Sequence, residues 1–512
     1  MFGKNETLML DWLNEPREML GMIDNLKDLS DKIKQLNFES IVLMGMGGSS
    51  LAVKVFQDVL APNTNEKFFV LDTIHPDMLE RLERTIDISK TLFVVSSKSG
   101  TTLEPNLLYQ HFLSKLKEAG IENHFEHFIA ITDTGTSLAE EANKNQFITS
   151  VKGNPLIGGR YSALSPFGIF PALLMGIDVQ NLLEKSLQMT QECGPAILPE
   201  RNPGVLLGLF LGVNTLCAHD QLVVYISPSL KSFGSWLEQL IAESLGKNHG
   251  GIVPLVEGDL EHVALPHSMH CVLELEGEPI DPSIKQELRK NHSNCIYLKI
   301  PDRSAIGSEM FRWEIAISTA AIILKLNPFD QPDVEKSKQQ ALLIIDQIKN
   351  KKFVGPKNAC YSSDAVEIFS PGSDKETINV MASFFTAIKD GDYCAILSYL
   401  DETPENNSHV DSLAAKIRQH LVPAIVQHGP RYLHSIGQLF KGGKNNGHFI
   451  LITGPYKKDF SSSMGINFKD IHLSQALGDF QTMIDDNRHI LHVHLKDVAV
   501  GFRELLALSK HM

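Results

Sequence analysis

Between residues 40 and 144 the chain alternates short runs that are apolar along their whole length with stretches of helical periodicity. The runs at 40–44, 68–71, 91–96 and 128–132 read as strands, and the stretches at 49–60, 76–84, 103–116 and 136–144 as helices. A strand that is apolar at every position leaves no face for water, so it must be covered on both sides. Helices between successive strands supply that cover and allow the strands to run parallel. The pattern predicts a doubly wound α/β domain. Gly- and Pro-containing stretches at 153–171 and 194–203 interrupt it. A second cycle follows, with strands at 222–226, 271–275 and 295–300, a helix at 235–245 and a long apolar helix at 311–326. The Pro-containing turn 327–332 ends that helix, because the residue before a proline avoids helical backbone. From about 353 onward, helices such as 411–421 mix with strands such as 448–452 and 489–495. The expected domains are 1–198, 199–350 and a mixed α/β lobe over 351–512; 512 residues suit about three domains, each with its own core.

Charge and cysteine usage narrow the function classes. There are 47 basic and 61 acidic residues, a formal net charge of -14, so the surface repels phosphate backbones and no nucleic-acid partner is expected. A local basic pocket for one small anion is compatible with that average. Cys193, Cys217, Cys271, Cys295, Cys360 and Cys394 stand singly, without metal-finger spacing, and read as reduced thiols of a cytoplasmic protein. The first twenty residues carry charges throughout, unlike a signal peptide, and no apolar run approaches the ~18 residues of a bilayer span.

At the end of the first strand lies GMGGSS, 45–50, leading into a helix. Glycines such as Gly47 and Gly48 let backbone amides approach an anion, Ser49 adds a hydroxyl, and a helix N-terminus adds partial positive charge. Standing alone, the loop also fits a tight turn, or half of a dinucleotide fingerprint with Asp72 as the ribose-binding acid. After the third strand comes SSKSGTTLEP, 96–105, again opening a helix. One Ser or Thr there would be an ordinary cap. Five hydroxyls and a lysine, among them Ser97, Lys98, Ser99 and Thr102, exceed what capping needs and fit the oxygens of a phosphate monoester.

These paired loops resemble the phosphate-binding loops of sugar isomerase (SIS) domains. With GGRYSALSPFGIFPAL at 158–173, ESLGKNHGG at 243–251 and NPFDQPDVEKSK at 327–338, the ordered set resembles the phosphoglucose isomerase family, which interconverts glucose 6-phosphate and fructose 6-phosphate. The resemblance implies two doubly wound, flavodoxin-like parallel-sheet SIS domains followed by the C-terminal mixed α/β lobe. The last third, with DYCAILSYL, GPRYLHSIGQLFKGG, ALGDF and LHVHL, resembles the isomerase portion of bifunctional transaldolase/phosphoglucose isomerase proteins.

Aldose-ketose isomerisation needs a base to move a proton between neighbouring carbons, a cation to stabilise the enediolate, and an acid-base group to open the sugar ring. It obliges no metal or redox cofactor, and none is expected. By the resemblance Glu243 is the base, Arg160 the enediolate-stabilising cation, Lys338 a ring-opening group and Gln331 a contact to substrate hydroxyls. Lys338, with Lys336 beside it, equally fits a solvated helix start. The family's ring-opening histidine, contributed across a dimer interface in a GTNGQH-like tract, has no counterpart between Glu243 and Lys338. His249, His262, His267, His270 and His292 sit in unrelated surroundings; His267 and His270 read as solvated loop residues rather than a metal pair. His434, in a Gly-flanked segment with Lys441 close behind, is the proposed substitute, with a structural turn histidine as its alternative. The resemblance also implies a homodimer. Other readings are a dual phosphoglucose/phosphomannose isomerase, which Gln331 disfavours because a threonine stands there in dual enzymes, a non-catalytic phosphosugar-binding regulator, and a dinucleotide-binding enzyme.

Overall fold

The computed structural model describes residues 9–64, 67–352, 355, 359–371 and 380–508. The first sheet contains β1 (Ser40–Met44), β2 (Phe68–Leu71), β3 (Thr91–Ser96), β4 (Phe128–Asp133) and β5 (Thr149–Gly153), all parallel, in the order β2-β1-β3-β4-β5. Val42, Leu43, Val94, Val95, Ile129 and Ala130 are fully buried, as expected for strands covered by helices on both faces. β5 has no apolar run to announce it: Thr149, Ser150 and Lys152 alternate with the buried Val151 and Gly153, since an edge strand needs only one dry face.

The second sheet holds β6 (Gln221–Ile226), β7 (Val253–Leu255), β8 (Ser268–Leu275) and β9 (Cys295–Ile300), parallel, in the order β7-β6-β8-β9. Helices Pro203–Leu216 and Ile306–Leu324 pack closely. Gly204, Gly208 and Gly212 line their contact, where a Cβ would run into Ile315, Thr319 and Ile323. His270 departs from its expected solvated loop. It lies buried on β8, with Ser268 and Tyr225 as hydrogen-bond partners, while His267 faces Asp390.

The third sheet runs β10 (Tyr361–Ser362), β11 (Val366–Phe369), β12 (Tyr393–Ser398), β13 (Ala424–His428), β14 (Gly447–Thr453) and β15 (His489–Leu495), in the order β10-β11-β15-β14-β12-β13. Its β13-β12-β14-β15 portion is parallel, and the β10/β11 hairpin adds antiparallel strands at one edge. In all three sheets the first parallel strand is flanked by the second on one side and the third on the other. The C-terminal lobe therefore repeats the doubly wound topology, with a mixed edge.

The loops at the carboxyl ends of the third sheet's strands dock on the first domain. Arg431, after β13, forks onto both oxygens of Asp72, at 2.7 and 2.8 Å, just past β2. Arg81 pairs with Asp401, and Asp77 accepts the backbone N–H groups of Lys457 and Lys458. Helix Val334–Lys349 packs along helix Phe468–Asp485 of the same lobe.

Candidate active site

Three segments meet at the switch point of the first sheet, between β1 and β3, where open α/β sheets present ligands. Past β1 the chain tightens into a 3-10 turn, Gly47–Ser49, before helix Leu51–Leu60 begins, so the glycine loop consumes two residues that periodicity assigns to the helix. Gly47 has φ +53°, a backbone that side-chain-bearing residues resist, and a Cβ there would press on the carbonyl of His434. A Cβ on Gly48 would overlap the carbonyl of Gly159. The two glycines thus bring together the loop, the Gly159–Tyr161 turn that carries Arg160, and the His434 turn of the third lobe.

The second loop leaves most of its hydroxyls uncommitted to capping. Thr102 occupies the N-cap position of helix Leu103–Glu118, yet its side chain caps nothing; its oxygen accepts from the Ser97 hydroxyl at 3.1 Å. Ser99 accepts from the Thr101 hydroxyl at 3.0 Å. Lys98 departs from the expectation of a cation open at the loop. Its ammonium is paired with Asp133 and donates to the Asn154 carbonyl at 2.7 Å, because β4 places a carboxylate one strand away. Burial lowers its pKa, with Asp133 opposing.

Glu243 and Arg160 form a buried ion pair, Nε to Oε2 3.1 Å, with both side chains under a tenth exposed. Glu243 sits in the last turn of helix Phe233–Leu245, and Gln239, one turn earlier on the same face, donates to Oε2 at 3.3 Å. Burial raises the Glu243 carboxyl above its ordinary range, while the charges of Arg160, His434 and Lys338 and the Gln239 bond pull it back. A carboxylate raised in this way accepts a proton near neutrality more readily than a solvated one.

Arg160 also donates to the carbonyls of Pro328, at 2.8 Å, and Asp330, and meets Gln331 Oε1. Lys247, buried, donates to Asn327 O and Asp330 O at 2.7 and 2.6 Å. Burial and the neighbouring Arg160 charge push its pKa down to about 8. The 327–331 loop is therefore held by two cations. Lys338 is half-exposed on helix Val334–Lys349 and pairs with Glu335 at 2.7 Å; its charge still acts on Glu243.

His434 arrives from the third lobe. Its Nε2 donates to Glu104 Oε1 at 3.0 Å, and its carbonyl accepts from Gln239 Nε2 at 2.9 Å. Glu104 is fully enclosed and also accepts from Gln475 at 2.6 Å. Burial alone would raise its carboxyl, but His434 and the donors around it hold it at about 2. An ionised Glu104 thus faces the imidazole and orients it beside the two loops. The sequence reading missed Glu104, Gln239, Lys247 and Gln475. Glu104 follows Thr101 at capping-box spacing, Gln239 shares the Glu243 helix face, and Lys247 lies in the quoted ESLGK tract; no local signal marks Gln475.

Asp72, the carboxylate a dinucleotide ribose would need, is taken by Arg431, which removes the observation behind that reading. Among the described residues no group of three or more His, Cys, Asp or Glu is placed to hold a metal, and no helix is long and apolar enough to cross a membrane. A cleft of about 750 Å³ lined by the 231–238 and 424–435 segments, with Ser435 on its wall, does not include Glu243.

Residues 4–253 match the family model "Phosphoglucose isomerase". A glucose-6-phosphate isomerase of Methanocaldococcus jannaschii is 27% identical over 377 residues, covering 64% of this chain and 90% of that protein. One from Campylobacter jejuni is 28% identical, covering 65% and 90%. Among solved structures, a hypothetical protein of Thermus thermophilus superposes with a TM-score of 0.59 at 24% identity, over 67% of this chain and 90% of that one. A glucose-6-phosphate isomerase of Chlamydia trachomatis gives 0.53 at 21% identity, over 64% and 74%; both superpositions speak to the fold. Residues 4–253 thus match the phosphoglucose isomerase family, and about two thirds of the chain is similar to glucose-6-phosphate isomerases.

Proposed function

We propose that the chain is a glucose-6-phosphate isomerase, interconverting glucose 6-phosphate and fructose 6-phosphate through an enediolate. The observation that carries this reading is the buried Glu243–Arg160 pair set against the two hydroxyl- and glycine-rich loops. Gly47, Gly48, Ser49, Ser97, Ser99 and Thr102 would hold the phosphate. Glu243 would take the C2 proton of the open-chain aldose and return it to C1, and its nearness to Arg160 matches negative charge appearing on the C1 and C2 oxygens. His434, oriented by Glu104, would exchange a proton with the ring oxygen, with Lys338 as the second ring-opening group and Gln331 near the sugar hydroxyls.

His434 belongs to the same chain as Glu243, so this site does not depend on a partner's histidine, although the reading keeps the family's homodimer as its assembly. It also includes the cytoplasm as location and use in both glycolytic and gluconeogenic directions. The test is a coupled assay on the purified chain with fructose 6-phosphate, with Glu243→Gln beside it. The substitution should lower turnover by about a thousandfold or more while leaving sugar-phosphate binding within about threefold. Turnover equal to the parent's would overturn the assignment. Mannose 6-phosphate, offered in the same assay, separates the dual-specificity reading.

A further inference from the structure

Helix Phe468–Asp485 touches the segments that carry both groups of the proposed ring opening, His434 and Lys338. One turn apart on it lie Gln475 and Asp479. Gln475 donates to Glu104, the carboxylate paired with His434. Asp479, fully buried, gathers three donors from three other segments. The Tyr432 hydroxyl donates to Oδ2 at 2.6 Å, the Ser337 hydroxyl to Oδ1 at 2.8 Å, and Lys441 Nζ lies 2.6 Å from Oδ1 with neither side chain reached by solvent. Tyr432 stands two residues before His434 in the same 3-10 turn, and Ser337 stands next to Lys338 on the Val334–Lys349 helix.

The two helices are clamped here, since a Cβ on Gly478 would strike the Ala341 backbone. Lys441 is anchored in turn by the Gly437 carbonyl, at 3.4 Å, in the short helix that follows the His434 turn. A carboxylate that binds these segments together removes freedom from both acid-base groups at once, and misplacement by about 1 Å is enough to slow a proton transfer severely.

We infer that Asp479 is a positioning residue for ring opening, setting the His434 turn and the Lys338 helix in one register through Tyr432, Ser337 and Lys441. This rests on the isomerase reading above. Among the described residues Asp479 hydrogen-bonds and ion-pairs with Tyr432, Ser337 and Lys441 and not with the phosphate loops or the Glu243–Arg160 pair, so its effect should fall on opening the cyclic substrate and spare the enediolate site.

The test is Asp479→Asn in the full chain, with active sites counted by titration against a five-carbon aldonate phosphate. That compound is an open-chain mimic of the enediolate, so its binding needs no ring opening. Turnover on cyclic glucose 6-phosphate per titrated site should fall at least tenfold, while the mimic's Kd stays within about twofold. Should Asp479→Asn fail to fold, Tyr432→Phe, which deletes one donor and keeps the ring, should show the same split at about threefold or more. Per-site turnover within twofold of the parent in the folded variants would overturn the inference. So would weakened binding of the mimic in step with turnover, because that places the defect at Glu243. An inactive parent chain would instead sink the isomerase reading, which keeps the two failures apart.

Discussion

The first and third sheets share a strand order yet use their carboxyl edges in opposite ways. Around the first sheet's switch point the loops are built from glycine and small hydroxyl residues, and the backbones of Gly159 and His434 come close against Gly48 and Gly47. At the matching place in the third sheet, between β12 and β14, Tyr399, Tyr456 and His472 fill the crevice. Tyr399 and His472 have their rings 5.1 Å apart, and the Tyr456 hydroxyl lies 2.9 Å from His472. His75 of the first domain packs edge-on and tilted into the same cluster, and burial drives its pKa down to about 3, so it packs as a neutral ring. Arg431, from the loop after β13, locks onto Asp72. Topology therefore offers the same crevice twice, and side-chain volume decides whether neighbouring backbone or bulky rings close it. The third lobe's strand-end loops dock on the first domain and, in doing so, deliver His434.

Among substitutions that test this comparison, breaking the delivery should have the largest effect. His434→Asn should cost about a hundredfold in turnover on cyclic substrate and much less on the open-chain sugar, measured by rapid-mixing assays. Equal, negligible losses would return His434 to a structural role and leave the third lobe without a catalytic part. Breaking the first sheet's crevice should act on binding instead. Thr102→Val removes a hydroxyl that the helix does not use as a cap, and KM for the sugar phosphate should rise about tenfold with kcat within about threefold. A loss confined to kcat would mean that the loop does not hold the phosphate.

The smallest effect sharpens the chemistry between them. Burial raises the Glu243 carboxyl and Arg160 opposes the rise. Since the base works when deprotonated, the rate should fall as pH drops through that raised value, above the usual carboxylate range. Arg160→Gln removes the opposing charge and should carry the acidic limb of kcat/KM further upward, by about one pH unit. A limb that stays in place would show that Glu243 is not the titrating base.

Much of the first domain is legible along the chain. Strands buried on both faces must be apolar at every position, and glycine or serine loops at their ends are visible as residues, so β1 to β4 and both loops follow from pattern. Glu243 and Arg160 stand out through the ordered tracts that carry the family resemblance. β5 escapes because partial burial leaves no periodic signature, and β7, buried at all three positions, is too short to show one. Lys98 and Asp133 are separated by 35 positions, and nothing local tells that one neutralises the other.

What the sequence determined by itself was the recurring strand-and-helix layering, the two hydroxyl-rich loops, and a family resemblance that names Glu243 as the base. Which charges are paired away from the site, which segments close each crevice, and which histidine comes beside Glu104 were decided only by tertiary structure. His434 and Glu104 lie 330 positions apart. Their pairing depends on the third lobe docking through Arg431 and Asp72, and on Gly47 and Gly48 admitting backbone contact where any Cβ would collide. Local pattern records what a segment prefers, whereas long-range burial and charge pairing determine what that segment meets.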